Sequence, residues 1–227
     1  MTKEEIVNHL WQNRDERGIK RWVNLNYPGL STFGIGLTKL KYYAKKIKKN
    51  HELALELWNS EVYDLRIISI LVEEPKKVTP EQVESQVKEL DFWMASHAYC
   101  SSLLSKVDFA EQLADKWLTS KDNVKRRCGY LLVFNFAMDK KHLPDEYFGR
   151  ILKIIEKELQ SEENFVKEAM NCALLKIGMR NRKLKTHALA VAKKIGKVDV
   201  DYGDNSCQAF DCVKHLSSDR VKKLLKD

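Results

Sequence analysis

Apolar residues recur along this chain at intervals of three and four, the spacing of one face of an α-helix. After Pro144, the residues Phe148, Ile151, Leu152, Ile155 and Leu159 form one such stripe. Val166, Ala169, Met170, Ala173, Leu174 and Ile177 form a second, with Gly178 placed to end that helix. Thr2 with Glu5, and Thr79-Pro80-Glu81-Gln82, both read as capping boxes, the second with proline at the first helical position. Alternation occurs only at Val198-Asp-Val-Asp-Tyr202, too short a run to build a sheet. The run Leu131–Phe136 reads as helix core rather than as a base-stacking platform. Breakers fall at 73–79, 120–122, 139–144, 161, 178–181, 196–205 and 217–218, and the helices between them are predicted to pair. One pair starts near Asp122, the next near Glu162, about 40 residues on, and a third near Asn205, a period typical of HEAT-like repeats. No pair buries its apolar face alone, so the pairs are predicted to stack into one continuous curved core. The expected architecture is all-α, a single HEAT-like-repeat domain over residues 1–227 with no dividing linker.

Composition narrows the class. With 44% hydrophobic and 32% charged residues, the chain is globular rather than disordered. Mean hydropathy is −0.46, and no apolar run approaches the ~18 residues of a membrane span. The opening MTKEEIVNHLWQNRDERG is charged throughout and lacks the apolar stretch of a signal peptide. A cytoplasmic protein is expected, nucleoid-associated if bacterial. Nine glycines and four prolines are too few for a turn-rich β-sandwich or barrel. Cys100, Cys128, Cys172, Cys207 and Cys212 are odd in number and form no CxxC pair, so they read as reduced, small buried residues. There is no zinc spacing, Gly-rich phosphate loop, GxSxG or HExxH, so a monomer with no metal and no organic cofactor is expected.

Charge becomes informative once it is located. Residues 36–50 hold six cations (Lys39, Lys41, Lys45, Lys46, Lys48, Lys49) and no acid. Residues 176–197 hold eight (Lys176, Arg180, Arg182, Lys183, Lys185, Lys193, Lys194, Lys197), again with no acid. The whole chain carries +8, so everything outside the two blocks carries −6. A lysine-rich helical face is by default a solvated one. Two acid-free blocks in an otherwise acidic chain point instead to a polyanionic partner.

Several segments carry a resemblance. HELALELWNSEVYDLRIISILVEEPKKVTPEQV (His51–Val83), LDFWMASHAYCSSLL (Leu90–Leu104), DNVKRRCGYLL (Asp122–Leu132) and ENFVKEAMNCALLKIGMRN (Glu163–Asn181) stand in that order. Together they resemble the DNA alkylation repair proteins of the AlkD type, from about Thr32 to Leu225. The resemblance implies a right-handed α-α superhelix of HEAT-like repeats whose concave basic face holds duplex DNA. It also implies excision of positively charged alkylpurines (3-methyladenine, 7-methylguanine) without flipping the base into a pocket. In that chemistry an aspartate opposes the charge that grows on the deoxyribose and holds the attacking water. Two tryptophans pack on the sugar and backbone, and an arginine grips a phosphate.

Carried over residue by residue, the match is partial. The family's Trp-Asp-x-x-Asp falls on Trp93-Met94-Ala95-Ser96-His97, so Trp93 is kept and His97 stands where the catalytic aspartate would be. The Arg-Arg pair falls on Arg126-Arg127, with Arg127 as the phosphate-gripping arginine. The second tryptophan becomes Cys172 in Asn171-Cys172-Ala173-Leu174. His97 is open to three readings: a groove histidine without catalytic role, a proton acceptor, or a backbone contact. In none does it supply an anion, since imidazole is neutral or cationic. Trp58, Trp93 and Trp117 each also read as plain core aromatics. DNA contacts are expected from Lys39, Lys45, Lys46, Arg126, Arg127, Arg180, Arg182, Lys183 and Lys185. The leading expectation is a duplex-DNA-binding protein with weak or absent glycosylase activity. The alternative is a HEAT-like scaffold for a protein or other acidic partner.

Overall fold

The computed structural model describes residues 1–24, 29–90, 93–203 and 207–226. By contact density it divides into two compact units, one built on Met1–Asp108 and one on Phe109–Tyr202 with the C-terminal helices. Among the described residues there is no strand, only one isolated bridge between Ser31 and Val62, so Val198–Tyr202 stays irregular. No described helix is long and apolar enough to cross a membrane. The fold class is all-α.

The first unit contains α1 (Lys3–Gln12), α2 (Glu16–Asn24), α3 (Leu37–Ile47), α4 (His51–Trp58), α5 (Tyr63–Val72), α6 (Pro80–Gln86) and α7 (Trp93–Ser102). Thr2 and Glu5 form the full capping box, each side chain accepting from the other's backbone N–H. At α6 only half of the box forms. Thr79 Oγ1 accepts from Gln82 N at 3.2 Å, but the Gln82 amide donates to Glu73 at 2.9 Å instead of turning back. The reason lies in Glu73, which is 1% exposed and gathers donors from Gln82, from the Glu74 N–H and from His51 Nδ1 at 2.7 Å. A buried carboxylate without such partners is costly, so it outbids the cap. Lys49 serves the same corner, its Nζ donating to the carbonyls of Leu71 and Glu73 at 2.9 and 2.8 Å, where α5 ends. Burial, then the neighbouring Lys106, lowers its pKa.

Asp64 anchors the approach to α3. Fully buried, its carboxylate accepts from Thr32 Oγ1 (2.6 Å), Phe33 N (2.8 Å) and Ile35 N (3.0 Å). The loop so fixed receives α2: the Gly34 carbonyl lies 2.0 Å from where a Cβ on Gly18 would stand, so only glycine fits at 18.

The second unit contains α8 (Ala110–Leu118), α9 (Asn123–Asp139), α10 (Asp145–Glu158), α11 (Asn164–Gly178), α12 (Arg182–Ile195), α13 (Cys212–Leu216) and α14 (Asp219–Leu225). Both apolar stripes read from the sequence are its buried faces, Phe148 to Leu159 and Val166 to Ile177. Asp122, Glu163 and Asn181 cap α9, α11 and α12 through their side chains. The expected pair start at Asn205 lies outside the described residues; the next described helix is α13, capped by Asp211. Gly178 is the last residue of α11 but does not take the left-handed turn of a stop signal. It is small because Leu216 of α13 and Ala188 of α12 press on it, 2.7 and 2.9 Å from where a Cβ would sit.

Candidate nucleic-acid interface and catalytic positions

Within the second unit, α9 and α11 lie side by side and carry two of the expected catalytic positions. Arg127 of α9 is 4% exposed, its guanidinium 6.0 Å from the Phe165 ring of α11. Phe165, Glu168 and Cys172 follow at i, i+3 and i+7, which places them on one face of α11. Cys172 is buried, and its thiol donates to Glu168 Oε1 at 3.2 Å. Burial, and next the Glu168 charge, push the Cys172 thiol well above its usual range. It is therefore a protonated donor, not a nucleophile.

Glu168 is the residue that the sequence reading missed. It is 5% exposed, a carboxylate on the face of α11 beside the apolar stripe, four residues before a cysteine that donates to it. That i, i+4 pairing was its one visible signal. A second thiol continues the cluster: Cys212 donates to Asn171 Oδ1 at 3.0 Å, and the Asn171 amide donates to the Phe210 carbonyl at 2.8 Å. Burial pushes the Cys212 thiol up to about 12. Tyr202, 6.5 Å from Phe165 ring to ring, is raised by burial and then by Glu168.

These burials make a direct prediction. At pH 8 a thiol-alkylating reagent should modify Cys207, which is exposed, while Cys100, Cys128, Cys172 and Cys212 react only after denaturant is added. Mass spectrometry of the native protein checks this; rapid double labelling would contradict it.

The remaining positions separate by role. Arg126 is committed to the protein, donating to the Leu118 carbonyl at 3.0 Å and to Glu158 and Glu162 at 2.6 Å each. Arg180 is committed too. It donates to the carbonyls of Ala137 (2.9 Å) and Leu143 (2.8 Å), with longer bonds to Lys140 and Lys141, and covers the Phe148 ring at 4.6 Å. It satisfies the carbonyls left over where α9 ends. By contrast, Lys39, Lys45 and Lys46 are exposed on α3. On α12, Arg182 and Lys183 are exposed and Lys185 is half-buried. Lys183 pairs with an exposed Glu146 at 3.5 Å, and Arg182 donates to the Leu225 carbonyl at 3.3 Å. His97 is half-buried on α7 of the first unit. Trp93 begins that helix, and its side chain lies outside the described residues. Trp58 and Trp117 are core residues, as is the run Leu131–Val133 with Phe136.

Paired helices, capped at their starts and buried along one face, define an all-α protein of the HEAT-like-repeat class. The chain belongs to the family of DNA alkylation repair enzymes, which it matches over residues 6–198. It is similar to the uncharacterized protein Lin0241 of Listeria innocua, at 30% identity over 97% of this chain and 98% of that protein. It is also similar to Lmo0209 of Listeria monocytogenes, at 27% identity over the same shares. A solved structure described as one of "a new family of proteins related to the HEAT-like repeat DNA glycosylases with affinity for branched DNA structures" superposes with a TM-score of 0.86. At 23% identity it covers 99% of this chain and 96% of its own, a likeness of fold.

Proposed function

We propose that this protein, acting as one domain, binds duplex DNA, branched forms included, through basic residues exposed on its helix pairs, and that it excises alkylpurines weakly or not at all. The observation that carries this is the exposure of lysines on α3 and α12 in a repair-family chain that is net negative elsewhere. The solved relative's affinity for branched DNA supports including junctions among the ligands. Lys39, Lys45, Lys46, Arg182, Lys183 and Lys185 supply phosphate contacts. Arg127 stands at the family's phosphate-gripping position but is buried against Phe165, and Trp93 is a groove residue. Arg126 and Arg180 act indirectly, by holding α9 in place. Weak excision follows from His97 and Cys172, which offer neither an anion nor a large ring at the positions where the family has them.

Charge reversal at Lys183 and Lys185 tests the interface. Lys183 is exposed, and Lys185 lies half-buried at the edge of the face that buries Leu184, Ala188 and Ala192, so thermal melting should accompany the binding assay. Replacing both by Glu is expected to weaken binding to a duplex by roughly tenfold or more at low salt, as phosphate contacts become repulsions. Unchanged binding would remove α12 from the DNA surface. A second reading, a scaffold for an acidic protein partner, draws on the same lysines. It would be selected if the intact chain bound no DNA at ~50 mM salt.

A further inference from the structure

The first unit exposes aromatic rings among cations. On α3, Lys39, Tyr42 and Lys46 fall at i, i+3 and i+7, one face of the helix, while the neighbouring face buries Leu40, Tyr43 and Ala44. Tyr42 is 65% exposed, and Lys46 Nζ stands 4.7 Å from its ring centroid. At the end of α1, Trp11 is 59% exposed, with the Arg14 guanidinium 4.5 Å from its ring. Each ring is thus wet on one side and flanked by a cation on the other.

The loop that precedes α3 touches the end of α1 and the start of α2. The Trp11 ring meets Phe33 edge-on at 6.4 Å, and the Phe33 carbonyl accepts the Asp15 N–H at 2.9 Å. The Asp15 carboxyl is held below its usual range by the N–H groups of Gly18 and Arg17, and then by the charges of Lys39 and Arg21. The charges of Lys39 on α3 and Arg21 on α2 thus both favour that carboxylate. Helix α2 buries none of its side chains and exposes Arg17, Lys20 and Arg21 beside this point.

We propose that this surface holds an unpaired nucleic-acid strand, with bases stacked on Tyr42 and Trp11 and phosphates neutralised by Arg17, Arg21, Lys39 and Lys46. This rests on the DNA-binding reading above and names the part of the ligand that the first unit takes. Cations alone suffice for the flank of a duplex, whose bases are already stacked on each other. Exposed flat rings gain contact only where a base is free to leave the stack, as at a fork, gap or junction. Stacking is tolerant of sequence because every base has a π-face.

The test compares a forked DNA bearing a single-stranded arm with a fully paired duplex of equal length, using the full chain and the variant W11A/Y42A. Both rings are exposed, so the variant keeps its core, and W11F/Y42F serves as the conservative control. The intact chain is expected to prefer the fork. W11A/Y42A should lose about tenfold or more of its fork affinity and less than about twofold for the duplex, with W11F/Y42F near normal. Equal losses on both DNAs, or none, would overturn the stacking surface while leaving DNA binding intact. Binding of neither DNA by the intact chain would overturn both. Loss confined to anionic phospholipid vesicles, with fork binding unchanged, would reassign the surface to a membrane.

Discussion

Release of 7-methylguanine from alkylated DNA by the unmodified chain is expected to run at least ~10²–10³ below an active family member, the typical cost of one missing electrostatic stabiliser. An alkylated purine is a good leaving group already, so the demand on the protein is for negative charge beside the sugar as the bond breaks. His97 meets that demand in neither protonation state. On the proposed correspondence, a small thiol turned toward Glu168 stands at Cys172 in place of the ring that would limit the sugar and water. Loss of such positioning costs roughly a further 10². His97→Asp is expected to recover measurable release, and His97→Asp with Cys172→Trp to recover more. Cys172 is 2% exposed, so tryptophan there must displace its neighbours at a cost of about 1–3 kcal/mol. Thermal melting should accompany the assay, so that a failure to fold is told apart from a failure to react. Release by the unmodified chain at the rate of an active member would contradict the account.

The largest expected effect on stability belongs to Asp64→Ala. The substitution strands the buried Ile35 N–H and the part-buried Phe33 N–H and Thr32 hydroxyl. Each orphaned donor costs about 1–3 kcal/mol, so urea denaturation should show a loss of roughly 3–5 kcal/mol. Asp64→Asn keeps one acceptor oxygen and should lose less. A loss under about 1 kcal/mol for the alanine variant would mean that the 32–35 loop is held by something else.

The fold was legible because helix periodicity and capping are local. The stripes after Pro144 and from Val166 to Ile177, the cap at Thr2 and the pair starts near Asp122 and Glu162 all come from residues within a few turns of one another. What failed to show was settled by partners distant in sequence. Gln82 turns to a buried Glu73 nine residues earlier, and Gly178 yields space to Leu216. Arg126 and Arg180 look like DNA contacts in a basic run, yet carboxylates and helix-end carbonyls claim them from 32 to 43 residues away. Asp64 was invisible for the same reason, its partners lying 29 to 32 residues away, whereas Glu168 showed only the cysteine four residues on.

Electrostatic binding of DNA is tested most directly by the affinity of the unmodified chain for a duplex across a range of salt. Each phosphate neutralised releases counterions and contributes ~0.9 to the slope of log affinity against log salt. Exposed lysines on both α3 and α12 should give a slope of about −3 or steeper, with little dependence on sequence. A flat slope, or no binding at ~50 mM salt, would contradict it.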